Sequence, residues 1–487
     1  MSLSRRPRQD LARPSLLRQL PVHSSDILEG QRPRRAVELE VAYGNGDLIR
    51  VLDTLGIAGP LRVVSPWELE DERGRHLINA GGYAARPFGE MYPPLVSFLS
   101  EYLEKSGSVG LPQQSASDWR AALETNLIAL LAAQAPSHAD SQVFFSNSGA
   151  EAIEAALKFV KAARPQGKYL INFTSAYHGK TFGALSLTPN EEYQGPFRPL
   201  MPGVRTVPYG DVSALEEAVY GLGPKNITAL VLEPIQGEAG VIIPPEDFLP
   251  AVARLAKRYG ILTVADEIQS GLGRSGYWFA SLAGGLEPDV VTLAKPLGGG
   301  LVPVGATIAR RWIVKRLLGG LASKRHSNTF VGGSLAMAVG LRSLEFLVEE
   351  GLVEKARRDG QHGLERLREI QARYPNFLAE VRGAGMLFAL QLQPVLAPGL
   401  LPVSAELLQQ LGSALALRTL HLGGIHACYT LNSSRVVRLT PALNMPANVF
   451  DELFERLERV ARRHRRAWRM LPRMPLGRLL RLAKLAL

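Results

Sequence analysis

Short runs of β-branched residues alternate with amphipathic stretches from about residue 106 to residue 344 of this 487-residue chain. Between two runs, Ile153, Ala156, Leu157 and Val160 recur at the spacing of a helix face. Parallel strands need a long crossover, usually a helix, so the alternation predicts a mostly parallel sheet covered on both faces, an α/β fold. The predicted strands are Gln142–Phe145, Tyr169–Phe173, Ile227–Leu232, Ile261–Ala265, Val290–Leu293 and Val302–Ile308.

The segments that flank this large domain (residues 106–344) predict a second, smaller α+β domain. Residues 36–105 would form its N-terminal part, with a hairpin around Val63–Ile78. Residues 345–465 would form its C-terminal part, in which helices surround a short strand pair near Met386–Leu392 and Arg435–Thr440.

The two ends of the chain carry its basic charge. Residues 459–487 hold ten basic and no acidic side chains, and residues 1–35 have a net charge of +5. The total is +11, so the body between them has a net charge of −4. The fold itself therefore has no basic excess of the kind that binds nucleic acid, and no nucleic-acid partner is expected for it.

These ends are predicted to lie outside the two domains. Residues 1–35 would form a basic arm, and residues 466–487 a basic amphipathic tail. The tail's leucines predict a helix that docks on the body or on a partner subunit. An anionic membrane, a carrier protein or nucleic acid are the alternative partners of the tail.

Cysteine content and hydropathy restrict the compartment. Cys428 is the only cysteine, so no intramolecular disulfide can form, and no spacing resembles a set of zinc ligands. No apolar run reaches the roughly 18 residues of a transmembrane helix. The arginines of the arm leave an organelle transit peptide open, but Asp10, Asp26 and Glu29 argue against it. We expect a cytoplasmic protein with no transmembrane segment and no bound metal.

The first segment with chemical potential is Phe144-Phe145-Ser146-Asn147-Ser148-Gly149-Ala150-Glu151-Ala152. An apolar strand enters a small polar turn, and a helix starts at once. Free backbone N–H groups at such a helix start suit a phosphate. A serine before a glycine also serves simply as a helix cap, which this segment alone leaves open.

The second segment is Leu262-Thr263-Val264-Ala265-Asp266-Glu267-Ile268-Gln269. Its acid pair lies at the carboxyl end of a buried strand, where open α/β sheets bind their ligands. A buried aspartate needs a cationic partner, and the protonated nitrogen of a pyridine ring would supply one. A helix cap or a metal ligand is the alternative.

The third segment is Val290-Val291-Thr292-Leu293-Ala294-Lys295-Pro296-Leu297-Gly298-Gly299-Gly300. A lysine ends an apolar strand, and the glycines let a bulky ligand approach the backbone. A desolvated lysine has a lowered pKa and is a good amine nucleophile, as Schiff-base chemistry requires. A lysine whose ammonium reaches solvent is the alternative for this segment alone.

Together, a phosphate cradle, a carboxylate for a ring nitrogen and a strand-end lysine are what a protein supplies to pyridoxal phosphate. Over roughly residues 40–465 the chain resembles class III (ω-) aminotransferases of the fold type I pyridoxal-phosphate enzymes, especially the putrescine and ornithine/acetylornithine branch. The matching segments are SNSGAEA (146–152), AYHGKT (176–181), LEPIQGEAGV (232–241), ADEIQSGLGRSG (265–276), LAKPLGGG (293–300), HSNTF (326–330) and VRLTPAL (437–443).

The resemblance assigns expected roles around the cofactor ring. Lys295 should form the Schiff base with pyridoxal phosphate and later move the proton. Asp266 should pair with the ring nitrogen. Ile268 and Tyr177 should pack on opposite ring faces, and Gln269 should reach the phenolic oxygen.

The same resemblance implies a phosphate site that two subunits share. The backbone at Ser148, Gly149 and Ala150 should hold the phosphate, and Thr329 should contact it from the neighbouring subunit. The expected assembly is a homodimer with shared active sites, or a dimer of such dimers. His178 is either a ring contact or a supporting group behind the ring.

The substrate side of the resemblance involves four residues. In relatives, a glutamate matching Glu238 pairs with an arginine matching Arg438, and the pair opens so that the arginine binds the α-carboxylate of glutamate. Tyr83 matches an aromatic residue of the substrate pocket. Lys180 stands where many relatives have an arginine for a second carboxylate. A lysine cannot make that bidentate contact, which favours a diamine or another ω-amine.

Two segments depart from the family pattern and leave the identity of the donor open. Gly89-Glu90-Met91-Tyr92-Pro93 replaces Gly-His-x-His-Pro, and Val331-Gly332-Gly333-Ser334 replaces Gly-Gly-Asn-Pro. Both lie near the dimer and pocket walls in relatives. A specialised member that acts on a biosynthetic aldehyde or amine is therefore an alternative.

The predicted function is an aminotransferase that moves the terminal amino group of a putrescine- or ornithine-like donor to a keto acid, 2-oxoglutarate, by ping-pong Schiff-base chemistry on Lys295. An amino-acid racemase or aminomutase on the same scaffold is one alternative. The other is a non-enzymatic cofactor-binding scaffold whose basic ends recruit a partner.

Overall fold

A computed structural model describes residues 22–29, 36–395, 405–433, 435–473, 475 and 477 of the chain. The strands are β1 (Arg62–Ser65), β2 (Glu68–Glu70), β3 (His76–Asn79), β4 (Gln142–Ser146), β5 (Tyr169–Phe173), β6 (Val204–Val207), β7 (Ile227–Leu232), β8 (Leu262–Asp266), β9 (Val290–Leu293), β10 (Gly305–Ala309), β11 (Leu378–Ala384), β12 (Leu387–Leu392), β13 (Ile425–His426), β14 (Cys428–Tyr429) and β15 (Val436–Leu439).

The helices cover the segments between these strands and both ends of the described chain. They are α1 (Ser24–Leu28), α2 (Ala36–Tyr43), α3 (Gly46–Leu55), α4 (Pro93–Lys105), α5 (Asp118–Gln134), α6 (Gly149–Ala163), α7 (Phe182–Ser186), α8 (Glu191–Gln194), α9 (Val212–Leu222), α10 (Phe248–Tyr259), α11 (Ala280–Ala283), α12 (Arg311–Leu318), α13 (Ser334–Glu349), α14 (Leu352–Arg373), α15 (Ala405–Leu422) and α16 (Ala447–His464).

The chain divides into two compact units, residues 1–60 with 476–487, and residues 61–475. The first unit contains α1, α2 and α3. Helix α3 starts after Asn45, whose side chain accepts a hydrogen bond from the Leu48 amide at 3.4 Å, and it stops at Gly56, whose φ of 73° suits glycine. All motifs linked above to chemistry lie in the second unit. The finer domain boundaries at residues 105, 344 and 465 stay predictions.

The core of the second unit is a seven-stranded sheet in the order β4-β10-β9-β8-β7-β5-β6. Neighbouring strands from β9 to β6 run parallel, and only β10 runs antiparallel to its neighbours β9 and β4. This confirms the predicted mostly parallel sheet of an α/β protein. The sheet brings the carboxyl ends of β7, β8 and β9 to one edge, where open α/β sheets bind ligands.

Helices cover both faces of this sheet. On β7, Ala229 and Val231 belong to the core packed by α6 and α12, while Leu230 and Leu232 belong to the core packed by α9 and α10. Since side chains alternate between faces with a period of two, a strand buried on both faces is apolar at nearly every position. All six residues of β7 are buried.

Several predicted strand boundaries of the large sheet are wrong, and one of its strands was missed. Strands β4, β8 and β10 each end one residue later than predicted. Strand β10 starts at Gly305 rather than Val302, because the Val302 amide bonds the Gly298 carbonyl in a turn. Strand β8 starts at Leu262 rather than Ile261, because the Ile261 amide closes the end of α10 on the Ala256 carbonyl. The missed strand, β6, is a four-residue edge strand, too short to show a clear pattern.

Two smaller sheets complete the second unit. Strands β11-β12-β15-β14 form an antiparallel sheet, and the pairing of β12 with β15 confirms the strand pair predicted near Met386–Leu392 and Arg435–Thr440. The predicted hairpin is the three-stranded meander β1-β2-β3, and β3 also pairs in parallel with β13. These strands tie residues 62–79 to the C-terminal part of the chain.

Among the described helices, none has the length and apolar composition of a membrane span. The predicted basic arm lies largely outside the described residues, which include its short helix α1 and none of residues 1–21 or 30–35. Most of the predicted tail also lies outside them. Its described part contains a 3-10 helix at Ala467–Arg473.

Gly360 lies in α14 where the helix packs too closely for a larger side chain. A Cβ at this position would lie 2.3–2.5 Å from backbone atoms of Gly385, in the turn between β11 and β12. We expect Gly360→Ala to lower the free energy of unfolding by about 1–3 kcal/mol.

Gly221 in α9 is the matched control, because a Cβ there meets nothing within 4 Å. Gly221→Ala should leave stability unchanged or raise it by about 0.5–1 kcal/mol. Denaturant unfolding of both variants measures the difference, and equal effects would show that the contact between Gly360 and Gly385 does not constrain the fold.

Candidate active site

Asp266 is the last residue of β8 and is buried at the carboxyl edge of the sheet. Its Oδ2 lies 2.7 Å from Nδ1 of His178, and its Oδ1 accepts from the Ile268 amide at 3.1 Å. The Thr292 hydroxyl, on the neighbouring strand β9, also lies 3.4 Å from Oδ1. A buried carboxylate keeps its charge only when such donors surround it. The same donors fix the direction of the two carboxylate oxygens of Asp266.

His178 lies behind this carboxylate in the loop after β5. Burial would lower its pKa, but the hydrogen bond and charge of Asp266 outweigh burial, and the pKa of His178 is raised. Its Nε2 atom is buried and has no hydrogen-bond partner among the described residues. The sequence left open whether His178 contacts the ring. Its bond to Asp266 favours the second possibility, a supporting group behind the ring.

Lys295 starts a 3-10 turn directly after β9, two residues beyond Leu293. Its φ of 38° lies in the left-handed region that residues other than glycine seldom adopt. Burial lowers the pKa of Lys295, against the opposing influence of the Glu238 carboxylate. Strain at one residue and a lowered pKa are features of a lysine used in chemistry rather than in packing.

The predicted phosphate cradle forms at the start of α6. The Ser148 hydroxyl accepts from the Glu151 amide at 3.2 Å, and the Ser148 carbonyl accepts from the Ala152 amide at 3.1 Å. Within the described chain, the N–H groups of Gly149 and Ala150 are left without partners. The segment is thus a capped helix whose cap uses only part of the first turn, so N–H groups remain for an anion, and the phosphate site at Ser148, Gly149 and Ala150 stays a prediction.

Ile268 connects the cradle to the carboxylate. A Cβ on Gly149 would lie 2.9 Å from the Ile268 side chain, so the two segments approach as closely as a glycine permits. Because Ile268 also donates its amide to Asp266, one short segment after β8 places an apolar side chain and a carboxylate beside the phosphate cradle.

Glu238, Gln269 and Arg438 form a second buried cluster. Arg438 Nη1 lies 2.7 Å from Glu238 Oε1 and 2.8 Å from Gln269 Oε1, and Gln269 Nε2 donates to Glu238 Oε1 at 3.1 Å. Burial would raise the pKa of Glu238, but the Arg438 charge lowers it below its usual range. Nε and Nη2 of Arg438 are buried and lack partners among the described residues.

The glycine at position 237 is required by this cluster. A Cβ there would fall 1.4 Å from Gln269 Oε1. With glycine at this position, the Gln269 side chain has room to bond Arg438. Gln269 thereby links the segment that follows Asp266 to β15.

The two remaining predicted substrate residues are Tyr83 and Lys180, and Tyr177 is the residue predicted to pack on the ring. Tyr83 has a φ of 54° and a ring that lies 5.8 Å from the Arg438 guanidinium carbon and packs edge-on against Tyr429 at 6.3 Å. Lys180 is exposed, with its Nζ 3.9 Å above the ring of Tyr193. Tyr177 is half-buried, and its amide donates to a buried carboxylate of Glu233 at 2.9 Å.

Thr329 lies in the loop before α13. It is exposed, and its carbonyl accepts a hydrogen bond from the Gln113 side chain. Its expected contact with the phosphate of a neighbouring subunit stays a prediction.

Glu233 is the site residue that the sequence analysis missed. It follows β7 as Asp266 ends β8, so the same strand-end signal could have found it. Oε1 and Oε2 accept from the amides of Tyr177 and Gly237 at 2.9 Å and 3.3 Å. Burial raises the pKa of Glu233 to about 7, while the nearby His178 charge opposes the rise. Glu267, the other acid of the sequence pair, instead accepts from the Ser281 amide at 2.6 Å.

These groups fit pyridoxal phosphate. A lysine amine, two free N–H groups at the cradle and a fixed carboxylate match the aldehyde, phosphate and ring nitrogen of that cofactor. Each carboxylate oxygen has two lone pairs, so Asp266 can accept a further donor while it holds His178. Ile268, which lies against Gly149, would offer the ring an apolar surface.

Comparison with known proteins agrees with this geometry. A sequence model of the family described as Aminotransferase class-III matches residues 67–461. The chain is 37% identical over 389 residues to a putrescine aminotransferase of Pectobacterium atrosepticum, covering 79% of this chain and 78% of that protein.

Solved structures of transaminases share the fold. The ornithine aminotransferase of Toxoplasma gondii ME49 superposes with a TM-score of 0.77 at 25% identity, over 91% of this chain and 99% of that one. An amine transaminase from an uncultivated Pseudomonas species, solved in its PLP-bound form, gives a TM-score of 0.71 at 25% identity, over 83% and 94% of the two chains.

Removing Arg438 alone should be more harmful than removing the whole ion pair. Arg438→Met leaves the Glu238 carboxylate buried without its cation, which we expect to cost about 3–5 kcal/mol of unfolding free energy. In Glu238→Gln/Arg438→Met neither charge of this pair is left, so roughly half or more of the lost unfolding free energy should be recovered. Denaturant unfolding at neutral pH measures both, and a double variant as unstable as the single one would contradict this account.

The same pair sets a pH dependence. The folded-state pKa of Glu238 lies below its ordinary value of 4.5, so its contribution to stability is complete above that value. The contribution is lost as pH falls through the lowered pKa. Glu238→Gln should therefore flatten the acid limb of the stability profile.

Proposed function

The chain belongs to the class-III aminotransferase family, and we propose that it moves the terminal amino group of a diamine or ω-amino acid, putrescine- or ornithine-like, to 2-oxoglutarate. It is a pyridoxal-phosphate-dependent aminotransferase, as members of this family are. The two-step, ping-pong order of the reaction and the identity of both substrates are part of the proposal.

The observation that carries the proposal is the closed cluster of Glu238, Gln269 and Arg438. An ω-amine donor has no carboxylate beside its reacting amine, and a dicarboxylate acceptor has one. A buried arginine neutralised by a glutamate suits the donor, because no unpaired cation then faces the apolar carbon of the substrate. When the pair opens, Arg438 can make a bidentate contact with the acceptor's α-carboxylate.

When bound, pyridoxal phosphate supplies an electrophilic aldehyde carbon and a ring that withdraws electrons from the amine-bearing carbon. Asp266 holds a negative charge where the ring nitrogen would lie, and His178 fixes the orientation of that carboxylate at 2.7 Å. Because burial lowers the pKa of Lys295, its Nζ loses a proton more easily at neutral pH and can accept and return the substrate proton.

The donor specificity is argued from Lys180 and Tyr83. Lys180 is already bound over the ring of Tyr193, and its single ammonium lacks the fork that binds a second carboxylate in two places. Tyr83 is 42% exposed, so its ring can contact the chain of a linear amine or its distal ammonium. Both features favour a diamine over an acidic donor such as acetylornithine.

The proposal includes a homodimer with shared active sites, alone or as a dimer of dimers, in which Thr329 contacts the phosphate of the neighbouring subunit. It also includes a cytoplasmic location. The exposed position of Thr329 on its own chain supports the first point.

A panel of amine donors tests this function directly. The holoenzyme is mixed, without keto acid, with putrescine, cadaverine, ornithine, lysine, 4-aminobutyrate or acetylornithine, and the absorbance near ~420 nm is followed. We expect the band to shift to ~330 nm with a diamine or ornithine and not with acetylornithine.

A second mixture then identifies the acceptor. Addition of 2-oxoglutarate should restore the ~420 nm band, and pyruvate should not. Conversion of an amino acid to an isomer without any keto acid would instead favour the racemase or aminomutase alternative and contradict the proposal.

A further inference from the structure

A second cavity, remote in sequence from the active-site motifs, lies between α15 and α16. Its volume is about 490 Å³, within the ~300–1,000 Å³ usual for small-molecule sites. The described lining contains four arginines and no carboxylate, and it includes Arg418, Arg456, Arg459, Arg463, Leu422 and Val460. The aminotransferase chemistry argued above uses none of these residues.

Few carboxylates pair with the arginines of α16 that line the cavity. Arg456 Nε and Arg459 Nη2 both bond the same oxygen of Glu452, at 2.9 Å and 2.7 Å. Among the described residues, the one further ion pair of Arg456 and Arg459 joins Arg459 Nη1 to Glu455 at 3.6 Å. Arg463 has no ion pair in the described part of the chain. Guanidinium groups gathered around one cavity repel each other, so an anion bound there would lower the energy of all of them.

Arg456 is held as a fixed donor rather than a mobile surface side chain. Its Nη1 donates to the carbonyls of His76 and Gly424, at 3.0 Å and 2.8 Å. These two residues border β3 and β13, which pair with each other. A guanidinium oriented in advance loses less conformational entropy when it binds an oxyanion.

The apolar part of the lining indicates that the anion carries an organic group. Val460 and Met470 are buried, while Leu422 is 43% exposed beside them. Planar guanidinium forks match phosphate oxygens, and aliphatic side chains next to them match a base, sugar or acyl chain.

The chain's own tail does not supply the missing charge. Residues 474–487 contain Arg478, Arg481 and Lys484 and no acidic side chain. A basic segment would add repulsion rather than relieve it. The cavity therefore favours a ligand from outside the chain.

We propose that the arginine-lined cavity between α15 and α16 is a binding site for a polyphosphorylated molecule, separate from the pyridoxal-phosphate site. The same phosphate chemistry is presented by a soluble nucleotide and by a phosphoinositide headgroup. The site binds this group through Arg459 and Arg463, with Arg456 as the fixed donor.

Calorimetric titration of the holoenzyme with tripolyphosphate tests the site. Saturation with pyridoxal phosphate beforehand keeps the probe away from the cradle at Gly149. We expect one tripolyphosphate per chain, and we expect Arg459→Gln/Arg463→Gln to weaken binding roughly tenfold or more, because two charge-assisted contacts are lost.

The matched control is Arg462→Gln/Arg466→Gln. It removes the same charge from exposed positions of the same basic segment that do not line the cavity. We expect this pair to weaken binding by less than about threefold, since only long-range attraction changes. Equal weakening by both pairs, or no saturable binding to the wild type, would overturn the proposal.

Two further arms separate the sources of the phosphate. ATP that displaces tripolyphosphate, without binding of the protein to phosphoinositide vesicles, would identify a soluble ligand. Vesicle binding that tripolyphosphate reverses, and that Arg459→Gln/Arg463→Gln abolishes, would identify a lipid headgroup. If neither ATP nor vesicles compete for the site, the assignment to a nucleotide or a phosphoinositide headgroup is wrong.

Discussion

The buried hydrogen bond between Asp266 and His178 is the interaction on which the rest of the site depends. A carboxylate at the end of a fully covered strand is costly unless donors surround it, and His178, Ile268 and Thr292 provide them. Those donors come from three different segments of the chain. Satisfying one charge therefore fixes the position of the loop after β5, the turn after β8 and the strand that leads to Lys295.

A second buried charge extends the same constraint to the smaller sheet. Arg438 on β15 is fully buried and bonds both Glu238 and Gln269, and Gln269 lies three residues beyond Asp266. The segment after β8 and strand β15 are thus joined by one glutamine. A change in the state of the Glu238–Arg438 pair must move Gln269 or leave a buried donor without a partner.

The sequence alone predicted the elements whose residue pattern lies within one short segment. The mostly apolar run of β7 and the strand-end positions of Asp266 and Lys295 followed from burial and periodicity, and the structure confirms the sheet that they require. The bond of His178 to Asp266 and the role of Glu233 did not follow, because they join residues 88 and 56 positions apart. Such contacts depend on how loops from separate strands meet, which single-sequence patterns do not encode.

The most direct test of the central claim compares two neighbouring buried acids. Asp266→Asn removes the carboxylate proposed to pair with the ring nitrogen, while Glu267→Gln changes a neighbouring acid that accepts from Ser270 and Ser281. Single-turnover rates with a reactive donor should fall by about a hundredfold or more for Asp266→Asn and change by less than about threefold for Glu267→Gln, with cofactor bound in both. Equal rates for the wild type and Asp266→Asn would contradict the account.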